Sequence, residues 1–170
     1  NALMTITHDM LVEAAAAWLR SRCSVVITEM AHLESETPDA IGWRSRESIL
    51  IECKASRADY LADRWKPFRR DPERGMGHTR YYCAPVGMLK PEELPQGWGL
   101  LELRAGRLRV AKQPAKKGLR ANQGAEITLL LSALRRIGQT VSPGLSVRHY
   151  VIETKCRASL GVAKETPSQA

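Results

Sequence analysis

A chain of 170 residues has the size of one domain, and surface-to-volume scaling gives it roughly two-thirds of its unfolded surface to bury, enough for a core. Lysine and arginine number 26 against 18 aspartates and glutamates, a net charge of +8 that suits a polyanionic partner. The four cysteines, Cys23, Cys53, Cys83 and Cys156, include no C-x-x-C pair, which argues against zinc and for reduced thiols; with no secretory signal and no apolar run of membrane length, a cytoplasmic protein away from membranes is expected.

In chain order, Asp9 to Arg22 carries Met10, Leu11, Ala14, Ala17, Trp18 and Leu19 as an apolar stripe at helical spacing, with Thr7 or Asp9 to cap its start. Ser24 to Glu29 is short and β-branched and reads as the first strand. Glu34 and Glu36 follow as solvated acids in a polar loop, and His32 as a surface histidine. Pro38 to Trp43, a turn over Trp43 to Glu47, and Ile49 to Lys54 read as a hairpin. Ser56 with Asp59 forms a capping pair for a helix running to about Trp65, limited by Pro67, with Tyr60, Leu61 and Trp65 facing the sheet.

Asp71 to His78 is a turn-rich loop before a central strand, Thr79 to Ala84. His78 reads as a structural or surface histidine, with proton transfer as the functional alternative. Pro91 opens a single helical turn, and Gly99 to Leu103 pairs with Arg107 to Ala111 across Arg104-Ala105-Gly106. Lys112 to Arg120 contains no acid and is either a DNA-backbone contact or a solvated linker. Gln123 to Ile137, with Ile127, Leu130, Leu131 and Leu134, is an amphipathic helix to pack on the sheet or on a second subunit. A further strand over Val147 to Lys155 and a loose tail complete the chain.

The chemistry concentrates in the hairpin. Alternation places Ile49, Ile51 and Cys53 on one face and Leu50, Glu52 and Lys54 on the other. If the turn closes as read, Asp39, Glu52 and Lys54 converge at one edge of the sheet, where a cation relieves the repulsion between two carboxylates. One or two carboxylates suit Mg²⁺ or Mn²⁺, which keep waters and substrate phosphate oxygens in their shell, while a lysine orients the attacking water. An acid-x-lysine triplet alone is equally an ordinary salt-bridged pair, and Glu153-Thr154-Lys155 repeats it. That second copy has no Asp or Glu between Glu126 and Glu153 to partner it, whereas Asp39 stands thirteen residues ahead of Glu52.

Pro38-Asp39 followed by Glu52-Cys53-Lys54 resembles the signature of the PD-(D/E)xK nuclease superfamily, and the run Lys54-Ala55-Ser56-Arg57-Ala58-Asp59-Tyr60-Leu61-Ala62-Asp63-Arg64 is similar, more narrowly, to the bacterial MmcB-like DNA-repair family within it. The likeness covers roughly residues 9 to 103, and the segment Phe68 to His78 is longer and more basic than that pattern. It implies an α/β restriction-endonuclease-like core, a mixed central sheet flanked by helices, over residues 1–112; a basic linker at 113–122 and a C-terminal segment at 123–170 complete the same domain. It also implies a Mg²⁺- or Mn²⁺-dependent deoxyribonuclease acting in DNA repair, recombination or phage and prophage DNA processing. Asp39 and Glu52 would hold the metal, the main-chain carbonyl of Cys53 would add a ligand, and Lys54 would position the water.

An auxiliary acid would come from Glu13 on the first helix or from Glu29 at the end of the first strand, with a merely solvated Glu13 as the counter-reading. Arg57 belongs to the matched run; Arg64, Lys66, Arg69, Arg80, Lys116 and Lys117 are the other cations expected along DNA. RNA and a homodimer stay open as partners. The rival readings are a catalytically inactive nucleic-acid-binding protein on the same fold and an adaptor that assembles through its C-terminal helix. The absence of a Gly-x-x-x-x-Gly-Lys loop excludes a P-loop nucleotide hydrolase.

Overall fold

The computed structural model describes residues 5–29 and 36–140, the side chains of 137–140 excepted. The chain divides into two compact units, residues 1–133 and 134–170. The first holds a six-stranded mixed sheet in sequential order, β1 (Val25–Thr28), β2 (Ala40–Arg44), β3 (Glu47–Cys53), β4 (Thr79–Pro85), β5 (Gly99–Arg104) and β6 (Arg107–Lys112). The outer pairs are antiparallel hairpins, while β3, β4 and β5 run parallel in the middle. The expected α/β architecture with a mixed sheet flanked by helices is the one observed. The second unit contains, among described residues, only the end of α4 (Gln123–Thr140). The expected strand at 147–155 and the tail lie outside the described residues, as do Glu34, His32 and Cys156.

Each face of the sheet has its own core, because β3 is buried on both sides. Ile49, Ile51 and Cys53 pack with Leu11, Ala15 and Leu19 of α1 (His8–Arg20); Leu50 packs with Tyr60, Tyr82, Trp98, Leu100 and Leu129 on the opposite face. Thr7 caps α1 by accepting the Met10 N–H. The buried stripe of α1 is Leu11, Val12, Ala15, Ala16 and Leu19, rotated from the expected one, so that Ala17 is exposed and Trp18 stays at the margin, edge-on to Tyr81 at 5.5 Å.

Ser56 caps α2 (Arg57–Asp63) as expected, accepting from the Asp59 N–H and donating to its carboxylate. Tyr60 reaches the sheet. Leu61 and Trp65 do not: the helix ends at Asp63, and Trp65, beyond its last turn, is 76% exposed. Pro67 then opens the one-turn helix α3 (Pro67–Arg70). In α4 the inward face is Ala125, Glu126, Leu129 and Ser132, leaving Ile127 and Leu131 in solvent. Glu126 sets that rotation: its carboxylate accepts from Trp43 Nε1, Ser48 Oγ and the Gly77 N–H. Gly77 itself sits at φ 85° with Leu50 Cβ 2.6 Å from where its own Cβ would lie, so only glycine fits there.

The segment 113–122 is pinned to the loops before β4 and β5 rather than free. The Ala115 N–H donates to Gly97 O, Leu119 N–H to His78 O and Asn122 N–H to Gly75 O.

The β5–β6 turn holds Ala105 at φ 48° and Gly106 at φ 74°, a pair of left-handed residues matched to the twist of a two-residue hairpin. Alanine is strained there, whereas asparagine adopts the conformation readily. Ala105→Asn is expected to raise stability by about 0.5–1 kcal/mol, visible as a higher thermal midpoint; an unchanged or lower midpoint would contradict that turn geometry.

Candidate functional site

The β2–β3 register, Arg44 with Glu47 through Ala40 with Ile51, puts Asp39 one step further on, across from Glu52. The Cys53 N–H donates to Asp39 Oδ2 at 2.7 Å, and the Glu29 N–H donates to Asp39 O at 3.1 Å, so Asp39 is held from both neighbouring strands. The Lys54 N–H donates to Cys83 O at 2.8 Å and ties the end of β3 to β4. Lys54 Nζ stands 3.3 Å from Glu52 Oε2. The three residues singled out in the sequence therefore meet at the C-terminal end of β3.

Behind them lies a buried ionic cluster. Arg69 spreads its guanidinium over three carboxylates: Nε donates to Asp63 Oδ2 at 2.7 Å, Nη1 to Glu36 Oε1 at 2.7 Å, and Nη2 is 3.0 Å from Glu52 Oε1. Its plane lies near the Phe68 and Trp98 rings, with centroids 4.8 and 4.7 Å away. Asp63 also accepts from the Tyr82 hydroxyl at 2.7 Å, and its Oδ1 lies between Lys54 Nζ at 3.1 Å and Lys66 Nζ at 2.8 Å. The Asp63 Oδ1 and Arg69 Nη2 contacts are charge contacts rather than well-directed hydrogen bonds. Glu36 Oε2 accepts from the Met76 N–H at 2.6 Å.

These contacts separate the acids electrostatically. Burial alone would raise the pKa of Asp63, but Arg69, Lys54, the Lys66 ammonium and the Tyr82 hydrogen bond outweigh it and hold Asp63 well below the usual carboxylate range. Burial would lower the pKa of Lys54, but Glu52, Asp63 and Asp39 raise it above the ordinary lysine value. Asp39 goes the other way: burial first, then the Glu52 charge, push its pKa up to about 6. Four carboxylates, Glu36, Asp39, Glu52 and Asp63, face the three cations Lys54, Lys66 and Arg69, and burial raises the pKa of Glu36 as it does that of Asp39.

Among the described residues Asp39 Oδ1 has only His8 Nε2 opposite it, at 3.6 Å, beyond hydrogen-bond reach. The donors fit a hard cation that keeps most of its waters: one free carboxylate oxygen, a second carboxylate beside it and an unbalanced negative charge. Among the described residues no group of three or more His, Cys, Asp or Glu side chains is disposed to hold a metal, so protein ligation would rest on two carboxylates and main-chain oxygen.

His8 Nε2 is 3.2 Å from Glu29 Oε1 and so links Glu29 to Asp39. Glu29 has φ 45°, a left-handed conformation that is unusual outside glycine and is typical of functional positions. Glu13 is exposed on α1, across a hollow of about 610 Å³ that it lines with Asp9, Arg20, Thr28 and Glu29. Of the two auxiliary acids, Glu29 is the one connected to Asp39.

Several expectations are corrected. Arg69 and Arg80 are buried and cannot meet DNA. Arg69 is spent on the cluster, and Arg80 donates to the carbonyls of Pro72, Gly75, Gly77 and Arg120, bracing the 72–77 loop. Glu36 is buried, not solvated, because it serves Arg69 and Met76. Arg57, Arg64, Lys66, Lys116 and Lys117 are exposed, Arg57 with Glu93 at 2.7 Å and Lys66 with Asp63 at 2.8 Å as ion-pair partners. Asp63 is the residue that sequence reasoning missed, and its signal was local: with Tyr60 turned to the sheet, the position three later shares its face.

His78 lies at the other end of β3, outside this cluster. Its Nδ1 accepts from the Ser48 N–H at 3.1 Å, while Ser48 Oγ, 2.8 Å from that nitrogen, donates to Glu126 at 2.7 Å. The role is structural, joining β3 and the 75–78 loop to α4.

No family model and no curated protein matches the chain. Among solved structures it is similar to the SPO1766 protein of unknown function from Silicibacter pomeroyi, with a TM-score of 0.59 and 23% identity over 85% of this chain and 99% of that one. At that identity the likeness establishes the fold, which the two proteins share.

Proposed function

We propose that the chain is a Mg²⁺- or Mn²⁺-dependent deoxyribonuclease of the PD-(D/E)xK type, acting in DNA repair, recombination or prophage DNA processing. The observation that carries the reading is the convergence of Asp39, Glu52 and Lys54 at one end of the sheet, where four carboxylates meet three cations. A bound divalent ion would supply Lewis-acid polarisation of the scissile phosphate and a more acidic water. Asp39 and Glu52 would hold it, with the Cys53 carbonyl as a main-chain candidate and Glu29 next in line through His8. Lys54, held cationic by its three acids, is suited to orient a water and to steady developing charge on phosphate rather than to act as a base. Asp63 stays ionised and fixes the Lys54 ammonium from the far side.

A second reading has its own observation. Both Glu52 oxygens already face cations, Arg69 and Lys54, an arrangement equally suited to a binding module that has no metal. The deciding experiment is cleavage of labelled linear, nicked, single-stranded and branched DNA with Mg²⁺, Mn²⁺ or EDTA, using the native chain beside Asp39→Ala and Lys54→Gln. Metal-dependent cleavage is expected, abolished in Asp39→Ala, with Lys54→Gln binding DNA normally and turning over about 10²–10³-fold more slowly. Cleavage that survives EDTA or Asp39→Ala would overturn the assignment, and salt-sensitive binding without cleavage in all three proteins would establish the binding module.

A further inference from the structure

The β5–β6 hairpin carries a cluster of positive charge that the proposed chemistry does not use. Arg104 pairs across the strands with Arg107, and Arg109 pairs with Glu102. All three arginines are exposed, and none forms an ion pair among the described residues. The acid best placed to neutralise them, Glu102, instead accepts the Gly87 N–H at 2.9 Å. The three arginines line an open hollow of about 530 Å³. Like charges directly opposite one another weaken a strand pair. Protection of an edge strand needs a charge on it, not several of one sign on one face.

Strand register gives the hairpin its place relative to Asp39 and Glu52. Glu52 is in register with Tyr82, and Tyr82 with Leu100. Glu102 and Arg104 follow Leu100 at alternate positions, so Arg104, Arg107 and Arg109 share the sheet face of Glu52. Because β3, β4 and β5 are parallel, they also share its end. The Glu52–Tyr82–Leu100 level lies four residues before Arg104, and Glu52 is two strands from it. With about 3.3 Å per residue and 4.8 Å per strand, the separation of Glu52 from Arg104 is roughly 16 Å, about five nucleotide steps of 3.4 Å.

We propose that this hairpin is a backbone clamp: Arg104, Arg107 and Arg109 seat phosphates of the same nucleic acid whose scissile bond lies at Asp39 and Glu52, with Arg104 about five nucleotides from Glu52. The clamp rests on the nuclease reading for its substrate but reads out independently, through binding. It recognises phosphate and not base sequence, since nothing in the cluster is shaped to reach a base edge.

The test is equilibrium binding of a fluorescent DNA duplex across a salt series, using the full chain with Asp39→Asn to prevent cleavage, and then with Arg104→Gln, Arg107→Gln and Arg109→Gln added together. Cleavage by the chain with native Asp39, with and without the three arginine changes, is followed in parallel, and Lys116→Gln with Lys117→Gln serves as a comparison. The exposed arginine changes should not lower the thermal midpoint and should raise it slightly, because they relieve the cross-strand repulsion. Binding should weaken about a hundredfold at 0.1 M salt, and the slope of log affinity against log salt should become shallower by about 2.7, the value for three lost phosphate contacts. An unchanged slope and affinity would overturn the clamp while leaving any cleavage, and hence the nuclease reading, standing. A slope that depends on the hairpin without cleavage under any metal would keep the clamp and remove the nuclease. A chain that neither binds nor cuts DNA would remove both.

Discussion

Asp39→Asn is expected to make the protein more stable at neutral pH while removing its proposed activity. The folded pKa of Asp39 is raised to about 6, chiefly by burial and then by Glu52, against about 3.9 in an unfolded chain. A group raised in this way favours the fold fully below its unfolded pKa, and that contribution is lost as pH rises through the folded value. Above about pH 6 the ionised carboxylate therefore costs roughly 2–3 kcal/mol, which asparagine avoids because it never ionises. Asparagine also keeps an oxygen for the Cys53 N–H, so the contact that positions the residue survives. The thermal midpoint should rise by roughly 5–10 °C at neutral pH and not at all near pH 4. Millimolar Mg²⁺ should raise the midpoint of the native chain, since it binds only the folded state, and should leave that of Asp39→Asn unmoved. A variant that melts at or below the native midpoint at neutral pH would mean that Asp39 is under no charge stress, and the metal argument would lose its main support.

The hairpin was legible because its signals are local. Alternation in Ile49 to Lys54 and the Ser56 cap depend on neighbours in the chain, and the register that brings Asp39 opposite Glu52 follows from a short turn. What could not be read is what long-range polar contacts decide. The apolar residues of α4 point to Ile127 and Leu131 as its buried face, but Glu126 must reach Trp43, Ser48 and Gly77, and satisfying those donors turns the helix the other way. Arg69 and Arg80 look like surface cations because arginine is usually exposed; only the fold shows three carboxylates around one and four carbonyls around the other. The exposed arginines of the β5–β6 hairpin were in plain view in the sequence. Their meaning needed the sheet order that places them on the face and end of Glu52.

Replacing Arg69 should have the largest effect on stability of any single change at this site, and its pH dependence should reveal why. Arg69→Leu leaves Glu36, Glu52 and Asp63 buried without the cation they share, and removing one partner of a buried ionic group costs about 3–5 kcal/mol. In the native chain the depressed pKa of Asp63 contributes stability that is present above its unfolded value and is lost as pH falls through the acid range. In the variant the sign reverses. Without Arg69, burial and mutual repulsion raise the acids, so protonating them relieves the fold and stability returns as pH falls from neutral. The two denaturation midpoints should therefore differ most at neutral pH and converge in mild acid. Arg69→Lys should recover only part of the loss, because a single ammonium cannot meet three carboxylates that a planar guanidinium reaches at once. If Arg69→Leu ran parallel to the native chain at every pH, the loss would come from packing against Phe68 and Trp98, and the cluster behind Glu52 would not be held by charge.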